Sequence, residues 1–299
     1  MHTCPITAIM PTYKRVEKLF LSLEKIFACV PTPSEVIVHI DNNDIETETE
    51  LKREAHKFPN LILLVSGEHL GPGASRNKLL GRATNSIVAS FDDDSYPLDS
   101  DYFDRIQQLF DQFPKAAMLA ASVYHQGEEV TSDSFGTQWV ADFTGCGCAY
   151  RLEVFKRTTG YLRRTVPYGA EETDLALRLH SMGFGILKSS RLRIFHNTRL
   201  EHHESPRVTA GIIENYALIP FLRYPVFCTW LGVAQFARQV LWRLRHGRSK
   251  GIATGLLNIP TLLWQHRAQR DVIPTKHLTS YLRLRHQPVI EPATPKIRL

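Results

Sequence analysis

Several groups of side chains in this 299-residue sequence could act on a phosphate or a hydroxyl. Asp92-Asp93-Asp94 follows the apolar run Ile87 to Phe91. Adjacent carboxylates repel one another, and a divalent cation with oxygen ligands relieves the repulsion. Mg²⁺ or Mn²⁺ typically takes one or two carboxylates together with substrate phosphates. A divalent cation at Asp92-Asp93-Asp94 is therefore the expected cofactor. His196 ends a later strand-like run, Arg191 to Phe195, and is the candidate imidazole ligand. Tyr168-Gly169-Ala170-Glu171-Glu172-Thr173-Asp174 opens a helical pattern. Acidic residues are electrostatically favoured at a helix start, yet one of them near a substrate hydroxyl can also serve as a general base. Pro11-Thr12-Tyr13 and Asp41-Asn42-Asn43 end two further apolar strands.

Gly71-Pro72-Gly73-Ala74-Ser75-Arg76-Asn77 lies between a strand and a helix. Its glycines allow close backbone approach, and Arg76 can meet a phosphate or an acidic loop. The spacing matches neither GxGxxG nor GxxxxGK[ST], which disfavours dinucleotide and Walker-type binding. Thr144 to Tyr150 is a small-residue stretch where a ligand can approach the backbone. Cys146 and Cys148 lack a second Cys/His pair at zinc spacing, so a zinc site is not expected from them. His202 and His203 crowd behind His196.

These groups need a frame. Ile6 to Met10, Glu35 to Ile40, Leu61 to Val65 and Ile87 to Phe91 are short apolar or β-branched runs. A helical pattern spans Val16 to Phe27, and another surrounds Arg76 to Arg82. Strands alternating with helices predict an α/β fold with a mainly parallel sheet covered on both faces. In such sheets ligands bind outside the carboxyl ends of the strands, where the polar clusters fall.

The charge is unevenly spread. Residues 1–190 carry 19 Lys and Arg against 25 Asp and Glu, whereas residues 191–299 carry 17 against 5. A basic end behind an acidic body suggests an anionic surface as partner. Leu231 to Arg248 interleaves Arg238, Arg243, Arg245 and Arg248 with an apolar stripe, and Trp230, Trp242 and Trp264 lie nearby. That pattern fits an interfacial amphipathic helix, or a helix packed on the main body with a solvated basic face. Tyr216 to Ala237 is apolar but holds Pro220, Arg223 and Pro225, so a membrane span is not expected. Five scattered cysteines suggest free thiols in a reducing compartment, and no signal-peptide pattern opens the sequence.

Taken in order, the motifs resemble the family 2 inverting glycosyltransferases with the GT-A fold, over roughly residues 4–200. The matching pieces are Pro11-Thr12-Tyr13 with Arg15, Asp41-Asn42, the Gly71/Gly73/Arg76/Asn77 loop and Asp92-Asp93-Asp94. They continue with Gly145 to Arg151 before Glu153-Val154-Phe155, and with Glu171-Glu172-Thr173-Asp174-Leu175. The resemblance implies a nucleotide-diphosphate sugar donor held by Pro11, Thr12, Tyr13, Arg15, Asp41, Asn43, Gly73, Arg76, Asp92 and Asp93. Asp41 would meet the nucleobase, and Asp92 to Asp94 the cation and diphosphate. Gly145, Gly147 and Asp174 would face the acceptor, with Glu172 as general base and Glu171 as its alternate. The family usually has Glu-Asp where this sequence has Glu171-Glu172. The Gln-x-x-Arg-Trp motif of processive members is absent, which implies addition of one sugar.

The segment Glu214-Asn215-Tyr216 through Tyr224-Pro225 is similar to tails of bacterial enzymes of surface-polysaccharide synthesis. Those use glycan or lipid-linked acceptors at the inner face of the cytoplasmic membrane, which makes a cytoplasmic, peripheral location the expectation. The expected architecture is a GT-A catalytic domain over 1–205, with a donor half of about 1–95 and an acceptor half of about 96–205. A helical, basic, membrane-surface region over 206–299 follows. No nucleic-acid partner is expected, although a basic nucleic-acid- or membrane-binding module and a sugar nucleotidylyltransferase are the competing readings. The latter would need a Gly-rich basic loop after the first strand, where Pro11-Thr12-Tyr13-Lys14-Arg15 stands.

Overall fold

The computed structural model describes residues 2–130, 136–164, 171–198 and 205–291. Its N-terminal half runs β1 (Thr3–Thr12), α1 (Val16–Phe27), β2 (Thr32–Ile40), α2 (Ile45–Arg53), β3 (Leu61–Val65), α3 (Gly71–Arg82) and β4 (Ile87–Ser90). These four strands pair in parallel, in the order β4-β1-β2-β3. Their residues are apolar on both faces, as a sheet covered on both sides requires. Along β1, Ile6, Ala8 and Met10 join one core cluster and Ile9 the other. On β2, Val36, Val38 and Ile40 oppose Ile37 in the same way. The α1 stripe Leu19, Leu23 and Ile26 fills the first cluster, whereas Leu79 and Leu80 of α3 fill the second.

The chain continues through β5 (Ser95–Pro97), α4 (Tyr102–Gln112), β6 (Ala116–His125), β7 (Thr137–Val140), β8 (Cys148–Arg151), α5 (Leu152–Phe155), α6 (Glu171–Ser181) and β9 (Gly185–His196). β8 inserts antiparallel between β4 and β6, while β6 and β9 run parallel. Among the described residues the sheet has ten strands and is mixed beyond β4. Between β6 and β9 the register slips from Ala121↔Ser189 to Ser122↔Arg193. That irregularity sets His196 opposite both Ser95 and His125, at the mouth of the sheet.

Helix α3 begins at Gly71, inside the segment expected as a loop ahead of Arg76. Asp41, at the end of β2, accepts the backbone N–H groups of Leu70 (2.8 Å) and Gly71 (2.9 Å). Those are donors a helix start cannot satisfy internally. Pro72 in the first turn has no such group to satisfy.

The C-terminal region holds α7 (Pro206–Arg223), α8 (Thr229–Arg245), α9 (Ile252–His266), α10 (Thr275–His286) and β10 (Val289–Glu291). Small residues let α8 and α9 press on α7. A Cβ on Gly232 would lie 2.5 Å from Pro220 Cβ, and one on Gly255 would lie 2.9 Å from the Ala210 carbonyl. The chain then turns back onto the sheet. Leu278 and Tyr281 of α10 are buried in the same cluster as Leu175 and Leu177 of α6. β10 pairs antiparallel with β7, and Glu291 accepts from Trp139 Nε1 at 2.7 Å. Among the described residues no helix is long and apolar enough to cross a membrane.

Candidate active site

The carboxyl ends of β1, β2 and β4 open into a cleft of about 580 Å³, closed on its far side by α6, α7 and the end of β9. Thirteen of the residues singled out in the sequence line it: Pro11, Thr12, Tyr13, Arg15, Asp41, Arg76, Asp92, Asp93, Asp94, Gly145, Glu171, Glu172 and His196. Asn43, Gly73, Gly147 and Asp174 do not. Tyr168, Gly169, Ala170, His202 and His203 lie outside the described residues.

The three aspartates divide their partners. Asp92 is bound by Nη2 of Arg76, itself 3% exposed and anchored through Nε to Ser90 Oγ at 3.1 Å. Asp93 accepts from Thr12 Oγ1 (3.0 Å) and Arg15 Nη1 (3.2 Å). Burial pushes its carboxyl up to about 7; the Arg15 charge opposes this, and the Asp94 and Asp92 charges add to it. Asp94 is held by Arg15 (2.9 Å), Lys18 (3.2 Å) and His196 Nε2 (3.0 Å). Burial works against the Asp94 charge, but the His196 hydrogen bond and the nearby cations outweigh it and hold the carboxyl at about 2. The three adjacent carboxylates thus differ: Asp94 is firmly charged, whereas Asp93 holds a proton more tightly than an ordinary carboxyl.

The Asp94 Oδ1 to His196 Nε2 distance of 3.0 Å suits a cation. Two neighbouring ligands of an octahedral Mg²⁺, each about 2.1 Å from the ion, stand about 3 Å apart. Asp92 Oδ2 lies 3.9 Å from the same nitrogen. Asp92 and Asp94 offer oxygen ligands of the kind a hard divalent ion takes, and His196 Nε2 stands beside both.

Across the cleft, Glu171 and Glu172 occupy the first turn of α6. Burial, then the Glu171 charge, pushes the Glu172 carboxyl well above the usual carboxylate range; burial raises Glu171 as well. Gly145 sits between the two sides. A Cβ there would stand 3.0 Å from both Arg76 Cζ and Glu172 Oε1, so a side chain would crowd the guanidinium and the carboxylate together. Gly73, off the cleft, leaves room of another kind: the Glu171 side chain passes 3.6 Å from where its Cβ would be.

The remaining absentees have local work. Asp174 is fully buried, taken by Arg178 (2.8 Å) and by Arg223 of α7 (2.6 Å). Gly147 adopts φ +73°, and a Cβ would strike Ile194 at 2.4 Å. Asn43 binds the Gly67 carbonyl at 3.3 Å and stays exposed. Asp41 lines the cleft, but its oxygens already serve the start of α3, and His69 Nδ1 stands 3.0 Å away.

Several residues at or beside the cleft were given no role of their own in the sequence. Lys18, which donates to Asp94 but does not line the cleft, lies one turn beyond Arg15, a spacing that could have flagged it. Ser75 of α3 is 1% exposed, and its hydroxyl has no hydrogen-bond partner among the described residues. Arg207, Val208 and Ile212 come from α7, which no local pattern connects with the strand ends.

A sequence model described as glycosyl transferase family 2 matches residues 7–159. No curated protein matches the chain. Among solved structures, the mannosyltransferase PcManGT from Pyrobaculum calidifontis, in complex with GDP-Man and Mn²⁺, is 16% identical with a TM-score of 0.59; the match covers 95% of this chain and 88% of that one. S. aureus TarS 1-349, in complex with UDP-GlcNAc, is 17% identical with a TM-score of 0.56 over 89% and 92%. GalNAc-T7, with UDP, GalNAc and Mn²⁺, is 11% identical with a TM-score of 0.62 over 87% of this chain and 57% of its own. At these identities the likeness shows a shared fold.

Proposed function

We propose that this chain, which belongs to glycosyl transferase family 2, is a metal-dependent inverting enzyme that moves one sugar from a nucleotide-diphosphate donor to a glycan or lipid-linked acceptor. The observation that carries this reading is the single cleft in which Asp92, Asp94 and His196 face Glu171 and Glu172 across Gly145. A divalent cation held by Asp92, Asp94 and His196 would neutralise the charge of the departing diphosphate. Arg15 and Arg76 add fixed positive charge on the same side, and the unpartnered Ser75 hydroxyl offers a hydrogen bond to the donor. The solved neighbours named with GDP-Man, UDP-GlcNAc and Mn²⁺ support a donor and cofactor of this class.

Glu172 takes the proton of the acceptor hydroxyl as that oxygen attacks the anomeric carbon. The bond to the diphosphate breaks on the opposite face, so the configuration inverts. Burial and the Glu171 charge raise the proton affinity of Glu172, which makes it a stronger base than an exposed carboxylate. Glu171, one position earlier on the same turn, is its alternate.

The C-terminal region 206–299, of which 206–291 are described, supports a membrane-surface reading. Trp230 (66% exposed) and Trp264 (67%) stand out from α8 and α9 with Leu257 (79%). Arg267 stacks 3.8 Å over the Trp264 ring. Aromatic and leucine side chains among arginines suit the interface of an anionic bilayer, consistent with a peripheral enzyme at the inner face of the cytoplasmic membrane.

A thermal-shift panel of nucleotide sugars with Mn²⁺ or with EDTA tests the core of this reading. One sugar nucleotide should raise the melting temperature in Mn²⁺ and lose the effect in EDTA. No shift from any donor under either condition would sink it.

A further inference from the structure

The transfer chemistry makes no use of Cys146, although it lines the cleft at 2% exposure. Its Sγ lies 3.8 Å from Nδ1 of His196. Asp92, Cys146 and His196 each offer a ligand atom, and the three atoms lie within 4.8 Å of one another. We propose that these three residues form a site for a thiophilic divalent cation of the Zn²⁺ or Cd²⁺ kind, with Cys146 as the residue that selects it over Mg²⁺.

The donor set is the first argument. One thiolate, one imidazole and one carboxylate suit Zn²⁺, whereas Mg²⁺ demands oxygen ligands. Spacing is the second. With Zn–S near 2.3 Å and Zn–N near 2.05 Å, a separation of 3.8 Å corresponds to a ligand angle of about 120° at the metal, close to tetrahedral. The third argument is the support behind His196. Asp94 holds its Nε2 at 3.0 Å, which orients the ring and leaves Nδ1, on the Cys146 side, as the coordinating nitrogen.

The three residues are also rigidly placed. Asp92 lies two residues past the end of β4, and the Gly147 N–H beside Cys146 bonds the Ser90 carbonyl of β4 at 2.8 Å. The positive φ of Gly147 turns the chain so that Cys146 meets the end of β9. Metal binding releases the thiol proton to solvent as the metal–sulfur bond forms. A hard ion on the Nε2 side would share Asp92 and His196 with this site, so a soft ion displaces it. The proposal rests on the placement of the three residues and does not require the transferase reading.

Cd²⁺ titration of the metal-free full chain in excess Mg²⁺, read by the ultraviolet absorbance of the cadmium–thiolate bond, tests the site. The band should saturate at one Cd²⁺ per chain, disappear on addition of Zn²⁺, and be missing in Cys146→Ser. His196→Ala keeps the thiol and should weaken Cd²⁺ binding at least tenfold, so the test survives if the serine variant fails to fold. No band in the wild type, a band of full size in folded Cys146→Ser, or undiminished affinity in His196→Ala overturns the proposal. A donor panel run on the same preparation in Mn²⁺, with no Cd²⁺ or Zn²⁺ present, separates the two readings: a cadmium band in the titration together with no donor shift in Mn²⁺ supports the thiophilic site and overturns the transferase.

Discussion

Arg223 Nε lies 2.6 Å from Asp174 Oδ1, and neither side chain is more than 2% exposed. The pair fastens α6, which carries Glu171 and Glu172, to α7, which contributes Arg207 to the cleft. Arg223 also donates to the Gln269 carbonyl at 3.1 Å, and so reaches the turn after α9. Removing one partner of a buried ion pair leaves an uncompensated charge, which costs about 3–5 kcal/mol. Arg223→Met should therefore lower the melting temperature by many degrees, and Asp174→Asn should lower it too. If Asp174→Asn melts like the wild type and alters only the acceptor KM, Asp174 is an acceptor contact and the structural account fails.

Glu172→Gln should reduce transfer by roughly 10²–10⁴, the usual worth of a general base, while donor binding persists. The acidic limb of the rate profile should lie above the ordinary carboxylate pKa of about 4.3, because the environment of Glu172 resists its ionisation. Equal turnover in the glutamine variant would move the role to Glu171. An acidic limb at the ordinary value would show that the raised carboxyl is not the one that works.

Metal-free stability should fall between about pH 4 and pH 7. Asp93 keeps its proton in the folded chain up to about 7 but releases it in the usual carboxylate range once unfolded. The folded state therefore holds the extra proton across this window, and its stabilisation is lost as the pH rises through it. Asp94 acts in the opposite sense and only at lower pH: its stabilisation is present above the usual carboxylate pKa and is lost toward 2. Melting curves of wild type and Asp93→Asn should diverge in slope between pH 4 and 7, the variant being flatter. Parallel curves would remove the argument.

The chain should float with anionic liposomes and not with neutral ones, and salt should weaken the binding. Replacing Trp230 and Trp264 together by Ser should abolish flotation without lowering the melting temperature, since both rings stand mostly in solvent. Binding that survives the double substitution would place the contact elsewhere.

Where periodicity and burial agree, the elements are legible in the sequence. Leu61 to Val65 is a strand at those bounds, and the α1 stripe runs over Val16 to Phe27 as spaced. The start of α3 is not, because its cap is Asp41, from a different strand. β6 was also hidden: Ala116-Ala117-Met118-Leu119-Ala120-Ala121 has helix-favouring residues, and burial on both faces erases the alternation that marks a strand. In the cleft, the strand-end clusters were recognisable because topology puts ligands there. The share of α7 was not, since Arg207 owes its place to a path through the whole sheet. Asp174 looked like its acidic neighbours, and it is distinguished by Arg178, one turn on, and by Arg223, 49 residues away.

The close seating of Gly255 on the Ala210 carbonyl and of Gly232 on Pro220 leaves no slack between α7 and the two helices outside it. Helix α7, which lends Arg207 to the rim of the cleft, is therefore also the seat of the two helices that bear Trp230 and Trp264. A bulkier residue at either glycine would be felt at the opening through α7.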